Sequence, residues 1–98
     1  VYKIMLWVSD NSKDYVVTKP LHESQRSVSE AKAQELYSLF PMLSGGQFFI
    51  IECKENYELI RELTSFGKDL VVLSPKPITD LVERRVLEMF EIYSKLRT

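Results

Sequence analysis

The sequence predicts a single α+β domain, and three observations predict it. A strand–helix–strand unit runs from Gln47 to Pro75. Tyr2 to Ser9 alternates as a strand with large apolar groups on both faces. From Pro77 onward, Ile78, Leu81, Val82, Val86, Met89, Tyr93 and Leu96 recur at spacings of three and four, the mark of a helix over about 77–96.

Each element follows from its residues. In the first strand Ile4, Leu6 and Val8 face one way, and Lys3, Met5 and Trp7 the other. Asp10 is an N-cap residue for a short helix from Asn11 to about Thr18, with Tyr15 and Val16 packed inward and Lys19-Pro20 as the stop. Leu21 to Ser27 is polar and suits an edge strand. Ser27-Val28-Ser29-Glu30 has capping-box spacing, and Ala33, Leu36, Tyr37 and Phe40 make a stripe, so an inserted helix is expected over about 28–40. Pro41 ends it, and a loop runs to Gly45-Gly46.

Gln47 to Cys53 is β-branched and aromatic, which suits a strand. Asn56 caps the next helix, Leu59, Ile60, Leu63 and Phe66 carry its stripe, and Gly67 stands where a left-handed residue closes it. Leu70 to Leu73 is the last strand, ended by Ser74-Pro75.

With the helix over about 28–40 taken as an insertion, the remaining order is β-α-β-β-α-β plus a terminal helix. That is the ferredoxin-like pattern, with the first and third strands side by side in the middle of the sheet and the helices mainly on one face. The opposite face would carry Met5 and Trp7 with either Phe48/Ile50 or Phe49/Ile51. Such a patch does not stay wet, so the inserted helix, the last helix or a partner must cover it. Met5 and Trp7 are therefore candidate interface residues.

The chain has 98 residues, 45% hydrophobic and 28% charged, with a net charge of −1, which bounds it to one soluble globular domain without a uniform field for nucleic acid. Its one cysteine, Cys53, lies in a strand and fits a small apolar role in a reducing compartment, so a cytoplasmic location is expected. The chain opens at Val1 directly on a strand and is expected to be a fragment of a longer protein.

Catalysis is not expected. One histidine, His22, stands in a polar stretch without a base-and-orienter set, and no ligand spacing of the CxxC or HxxxH kind exists, so neither a catalytic residue, a metal nor a cofactor is predicted. Basic groups gather in two places: Arg84-Arg85 on the last helix, and Lys19, His22, Gln25 and Arg26 with its polar neighbours. The ordinary reading of both is a solvated face, with Arg84 paired to Glu88 for example.

Three segments resemble one family. Lys19-Pro20-Leu21-His22-Glu23-Ser24-Gln25 resembles the "pLHpSQ" segment of WCX domains, the C-terminal extensions of WYL-domain bacterial transcription regulators. Leu59 to Gly67 followed by Val71 to Pro75 resembles that family's "l..lls.G..vevl.P" stretch, and the helix through Met89 and Tyr93 its closing "l..m...Y". The departures are Glu23 where a proline is usual, and a longer Ser27–Gly46 segment.

The resemblance implies a ferredoxin-like fold placed behind a WYL domain and an N-terminal helix-turn-helix that binds duplex DNA. It further implies a cytoplasmic effector-sensing and dimerisation role, the effector in some members being single-stranded DNA. His22, Gln25 and Arg26 occupy the matching motif and are carried as effector or interdomain contacts, with His22 and Gln25 open also to a backbone-capping role. An ACT-like domain that binds a small metabolite has the same topology and is the alternative, although Ser9-Asp10-Asn11-Ser12 lacks the glycine-bearing turn that reading wants. An enzyme is the weakest reading.

Overall fold

The structure is a computed structural model and describes residues 1–97. It is an α+β fold: one four-stranded antiparallel sheet and four α-helices. The elements are β1 (Tyr2–Val8), α1 (Lys13–Thr18), β2 (Arg26–Ser27), α2 (Glu30–Leu39), β3 (Gln47–Cys53), α3 (Tyr57–Ser65), β4 (Leu70–Ser74) and α4 (Lys76–Leu96). A 3₁₀ turn, Gly67–Asp69, joins α3 to β4. The sheet order is β2-β3-β1-β4. β1 therefore lies beside β3, pairing from Tyr2 opposite Cys53 to Val8 opposite Gln47.

The sheet separates two apolar clusters. Ile4, Leu6 and Val8 of β1, with Phe49 and Ile51 of β3, pack against Val16 of α1, Ile60 and Leu63 of α3 and Ile78 of α4. The alternate residues Trp7 and Phe48 point to the other face and are buried by Leu36 of α2, with Met5, Ala33, Tyr37 and Phe40 around them. Strand alternation makes this division unavoidable once β1 and β3 are paired. The inserted helix is thus what covers the second face, and the pair exposed to it is Phe48/Ile50.

The loop into β3 is fixed from that side. Trp7 Nε1 donates to the Gly45 carbonyl at 3.1 Å, and the Tyr37 hydroxyl donates to the same oxygen at 2.6 Å. The Gly46 amide donates to Asp10 Oδ1 at 2.9 Å. Gly46 itself has φ +70°, and a Cβ there would run into the Val8 carbonyl and the Trp7 indole, so both conformation and space require glycine.

Several local expectations change. α1 begins at Lys13 and not Asn11, because the turn after β1 folds back onto the Ser9 carbonyl through the Ser12 and Lys13 amides. Asp10 is consequently free to bind Gly46 and Lys13 instead of capping α1. Tyr15 is exposed, its ring tilted against Phe66 with centroids 6.2 Å apart, while Val16 alone is buried from α1. The cap of α2 is Ser29, whose hydroxyl accepts from the Lys32 amide, and Ser27 instead accepts from the Gln47 side chain. Only Arg26–Ser27 of the expected edge strand pairs with β3. Asn56 caps α3 through the Leu59 amide, and Gly67 has φ +59°, both as expected. Among the described residues no helix is long and apolar enough to cross a membrane.

Candidate functional site

The segment Leu21–Arg26 is held by side chains where ladder bonds are missing. Gln25 acts as a staple: its Oε1 accepts from the Leu21 amide at 2.8 Å, and its Nε2 donates to the Val16 carbonyl at 3.1 Å. Ser24 extends the contact with β3 beyond the two paired residues, since its hydroxyl accepts from the Glu52 amide at 2.7 Å and lies 3.2 Å from the Glu52 carbonyl. His22 Nδ1 accepts from the Ser24 amide at 3.1 Å and sits 2.7 Å from the Ser24 hydroxyl. These bonds satisfy backbone groups of a segment too irregular to satisfy them itself.

The three motif residues are not brought together. His22 lines an open hollow of about 400 Å³ with Leu21, Cys53, Asn56, Leu59 and the carboxylates Glu58 and Glu62. Burial pushes the Cys53 thiol up from its ordinary value, which disfavours the thiolate there. Gln25 is committed to the backbone. Arg26 lies on the opposite side of the sheet edge, in a second groove.

That second groove, about 420 Å³, carries the cations Lys3, Arg26 and Lys32 above a floor of Met5, Val28 and Ile50. Ser27 and Ser29 edge it, at the N-terminus of α2. Arg26 pairs with Glu52 at 3.1 Å, and both side chains remain 47% exposed, so the pair is readily opened by a competing anion. Lys32 reaches Glu35 at 3.6 Å. Glu52 is also the cross-strand neighbour of Lys3. The groove is therefore a surface of three cations, two of them paired to carboxylates, Arg26 to Glu52 and Lys32 to Glu35.

Met5 and Trp7 have separated fates. Trp7 is buried within the chain by α2, whereas Met5 keeps partial exposure in the floor of the cationic groove. On α4, Arg85 stacks its guanidinium 5.2 Å over the Tyr57 ring. The Arg84–Glu88 pair is not among the ion pairs of the described residues. Sequence reasoning missed Lys3 and Lys32, which join Arg26 only because β1, β2 and the start of α2 converge.

The family model of the WCX domain matches residues 1–90. The chain belongs to the WCX family. No curated protein and no solved structure matches it at the significance required. In this WCX domain, then, the segment Leu21–Gln25 is a clasp between α1, the sheet edge and β3, and the cationic groove opens beside it.

Proposed function

We propose that this WCX domain is the C-terminal regulatory part of a cytoplasmic DNA-binding transcription regulator of the WYL class, sensing an effector and helping subunits pair. The observation that carries the reading is the family match over residues 1–90. The order β2-β3-β1-β4, with α1 and α3 as the two crossovers and α2 as an insertion, is read as ferredoxin-like. Duplex DNA is assigned to a helix-turn-helix domain of the same protein, reached through a WYL domain, and not to this domain.

The effector class that fits the groove of Lys3, Arg26 and Lys32 is an anionic chain with flat apolar parts, of which single-stranded nucleic acid is the nearest example. Cations meet the phosphates, and Met5, Val28 and Ile50 offer an apolar floor to a base. His22 and Gln25 serve that surface indirectly by holding the Leu21–Arg26 segment. The domain is read as a binding module and not as an enzyme.

Fluorescence anisotropy with short labelled single-stranded DNA at two salt concentrations tests this. Binding should weaken with salt, fall in Arg26→Glu and Lys3→Glu, rise in Glu52→Gln, and stay unchanged in Arg84→Glu. The absence of binding at tens of micromolar protein, or binding indifferent to Arg26 and Lys3, overturns the assignment of the groove.

A further inference from the structure

The second half of α4 is anomalous. Ile78 is fully buried and Val82 half-buried, yet the same stripe then leaves the body of the domain. Val86, Met89, Phe90, Ile92, Tyr93 and Leu96 are each 50–72% exposed. The molecule measures 46 × 29 × 25 Å, the long axis being what a helix of 21 residues projecting past the sheet produces. The family match ends at residue 90, so the outer part of the stripe belongs to this chain beyond the matched region.

Two features say what covers it. The first is area. At roughly 100 Å² apiece, half of what a large side chain presents, six such residues offer about 600 Å². Two copies would bury about 1,200 Å², the lower end of specific protein interfaces. The second is spacing. Val86, Met89, Tyr93 and Leu96 are separated by three, four and three residues. That sequence of steps reads the same from either end, so an antiparallel copy meets it in register: Val86 opposite Leu96, Met89 opposite Tyr93. A surface that is its own complement is what a two-fold interface requires. Beside the stripe, a hollow of about 330 Å³ between α3, β4 and α4, lined by Leu63, Leu70, Val82 and Val86 among others, gives an apolar flank.

We infer that the second half of α4 packs antiparallel against the same helix of a second copy of this chain, about a two-fold axis that passes midway between Met89 and Tyr93. This rests on the reading of the domain as one that helps subunits pair, and it assigns that pairing to named residues. The modest area makes the dimer weak, with dissociation on the micromolar scale.

Sedimentation velocity on the 98-residue chain over a concentration series, up to the order of 100 µM, tests it. The wild type should move from monomer to dimer. Met89→Glu and Tyr93→Glu should stay monomeric with an unchanged circular-dichroism melt of the monomer, and Arg84→Glu should behave as wild type. In a Cys53→Ser background, Met89→Cys should cross-link to Tyr93→Cys when the two are mixed, and neither to itself. A dimer that persists in both glutamate variants overturns the seam while leaving subunit pairing intact. A monomer at every concentration overturns the inference and the pairing reading together, and leaves the effector reading to the anisotropy assay. Self-cross-linking of either cysteine variant alone rejects the antiparallel arrangement.

Discussion

Replacing Leu36 by alanine isolates the contribution of α2 to the fold. Leu36 is 5% exposed and meets Trp7 and Phe48 across the second face of the sheet. The substitution removes three carbons, which at about 0.8 kcal/mol each gives roughly 2.4 kcal/mol of lost transfer free energy. A residual cavity raises this within the range of about 2–5 kcal/mol typical of such truncations. α2 is anchored at both ends, by the Ser29 cap and by the Tyr37 bond to Gly45, so it closes the gap only partly. The expected loss is therefore about 3 kcal/mol. For a domain of this size that lowers the melting temperature by roughly 12–24 °C.

Urea unfolding followed by the emission of Trp7, the only tryptophan, reads this directly, because the indole is the group that Leu36 shields. A red shift in the native emission should accompany the lower midpoint. A loss below about 1 kcal/mol with unshifted emission would refute the view that α2 seals this face.

Other expectations follow from single contacts. Gly46→Ala should destabilise by more than the roughly 1–2 kcal/mol of a left-handed residue, since its Cβ meets backbone and indole, whereas Gly67→Ala, with open space around it, should cost no more than that; thermal melts of the two separate the effects. Gln25→Ala leaves the Leu21 amide and the Val16 carbonyl without their partner and should cost about 1–3 kcal/mol, with faster amide exchange across Leu21–Arg26 as the local signature. The Lys13 ammonium and then the Gly46 amide hold the Asp10 carboxyl below its ordinary value, and the Ser9 hydroxyl chiefly, with Asn11 and Lys68, does the same for Asp69. Carboxyls depressed in the folded state stabilise it above their unfolded value and lose that contribution as pH falls through the folded one. Urea midpoints should thus hold steady from neutral pH to about 5 and decline below about 4, and Asp69→Asn should flatten that decline.

The groove beside the Leu21–Arg26 clasp is assembled from separate parts of the chain. Lys3, Arg26 and Lys32 come from three elements, and Glu52 sits where it can occupy Arg26 until an anion displaces it. Under the proposed effector reading, Glu52 is the carboxylate an anion would have to displace from Arg26.

By itself the sequence determined the elements whose signal is local. The alternation of β1, the β-branched run of β3, the Asn56 cap and the left-handed Gly67 each depend on near neighbours, and each stands where its pattern puts it. It also showed that β1 and β3 carry apolar groups on both faces, and hence that something must cover the second. The tertiary structure alone decided what does. Leu36 reaches Trp7 only once β1 lies beside β3 and the Ser27–Gly46 segment folds across them. The same holds for the caps that moved: Asp10, released by the turn onto the Ser9 carbonyl, finds the Gly46 amide 36 residues away, and the Ser27 hydroxyl accepts from Gln47 while Ser29 caps α2. The cationic groove belongs to this class too, since charges from β1, β2 and α2 have no pattern along the chain that joins them. Local propensity acts over three or four residues, whereas the competition among partners for a hydroxyl, a carboxylate or an apolar face is settled only when distant segments meet.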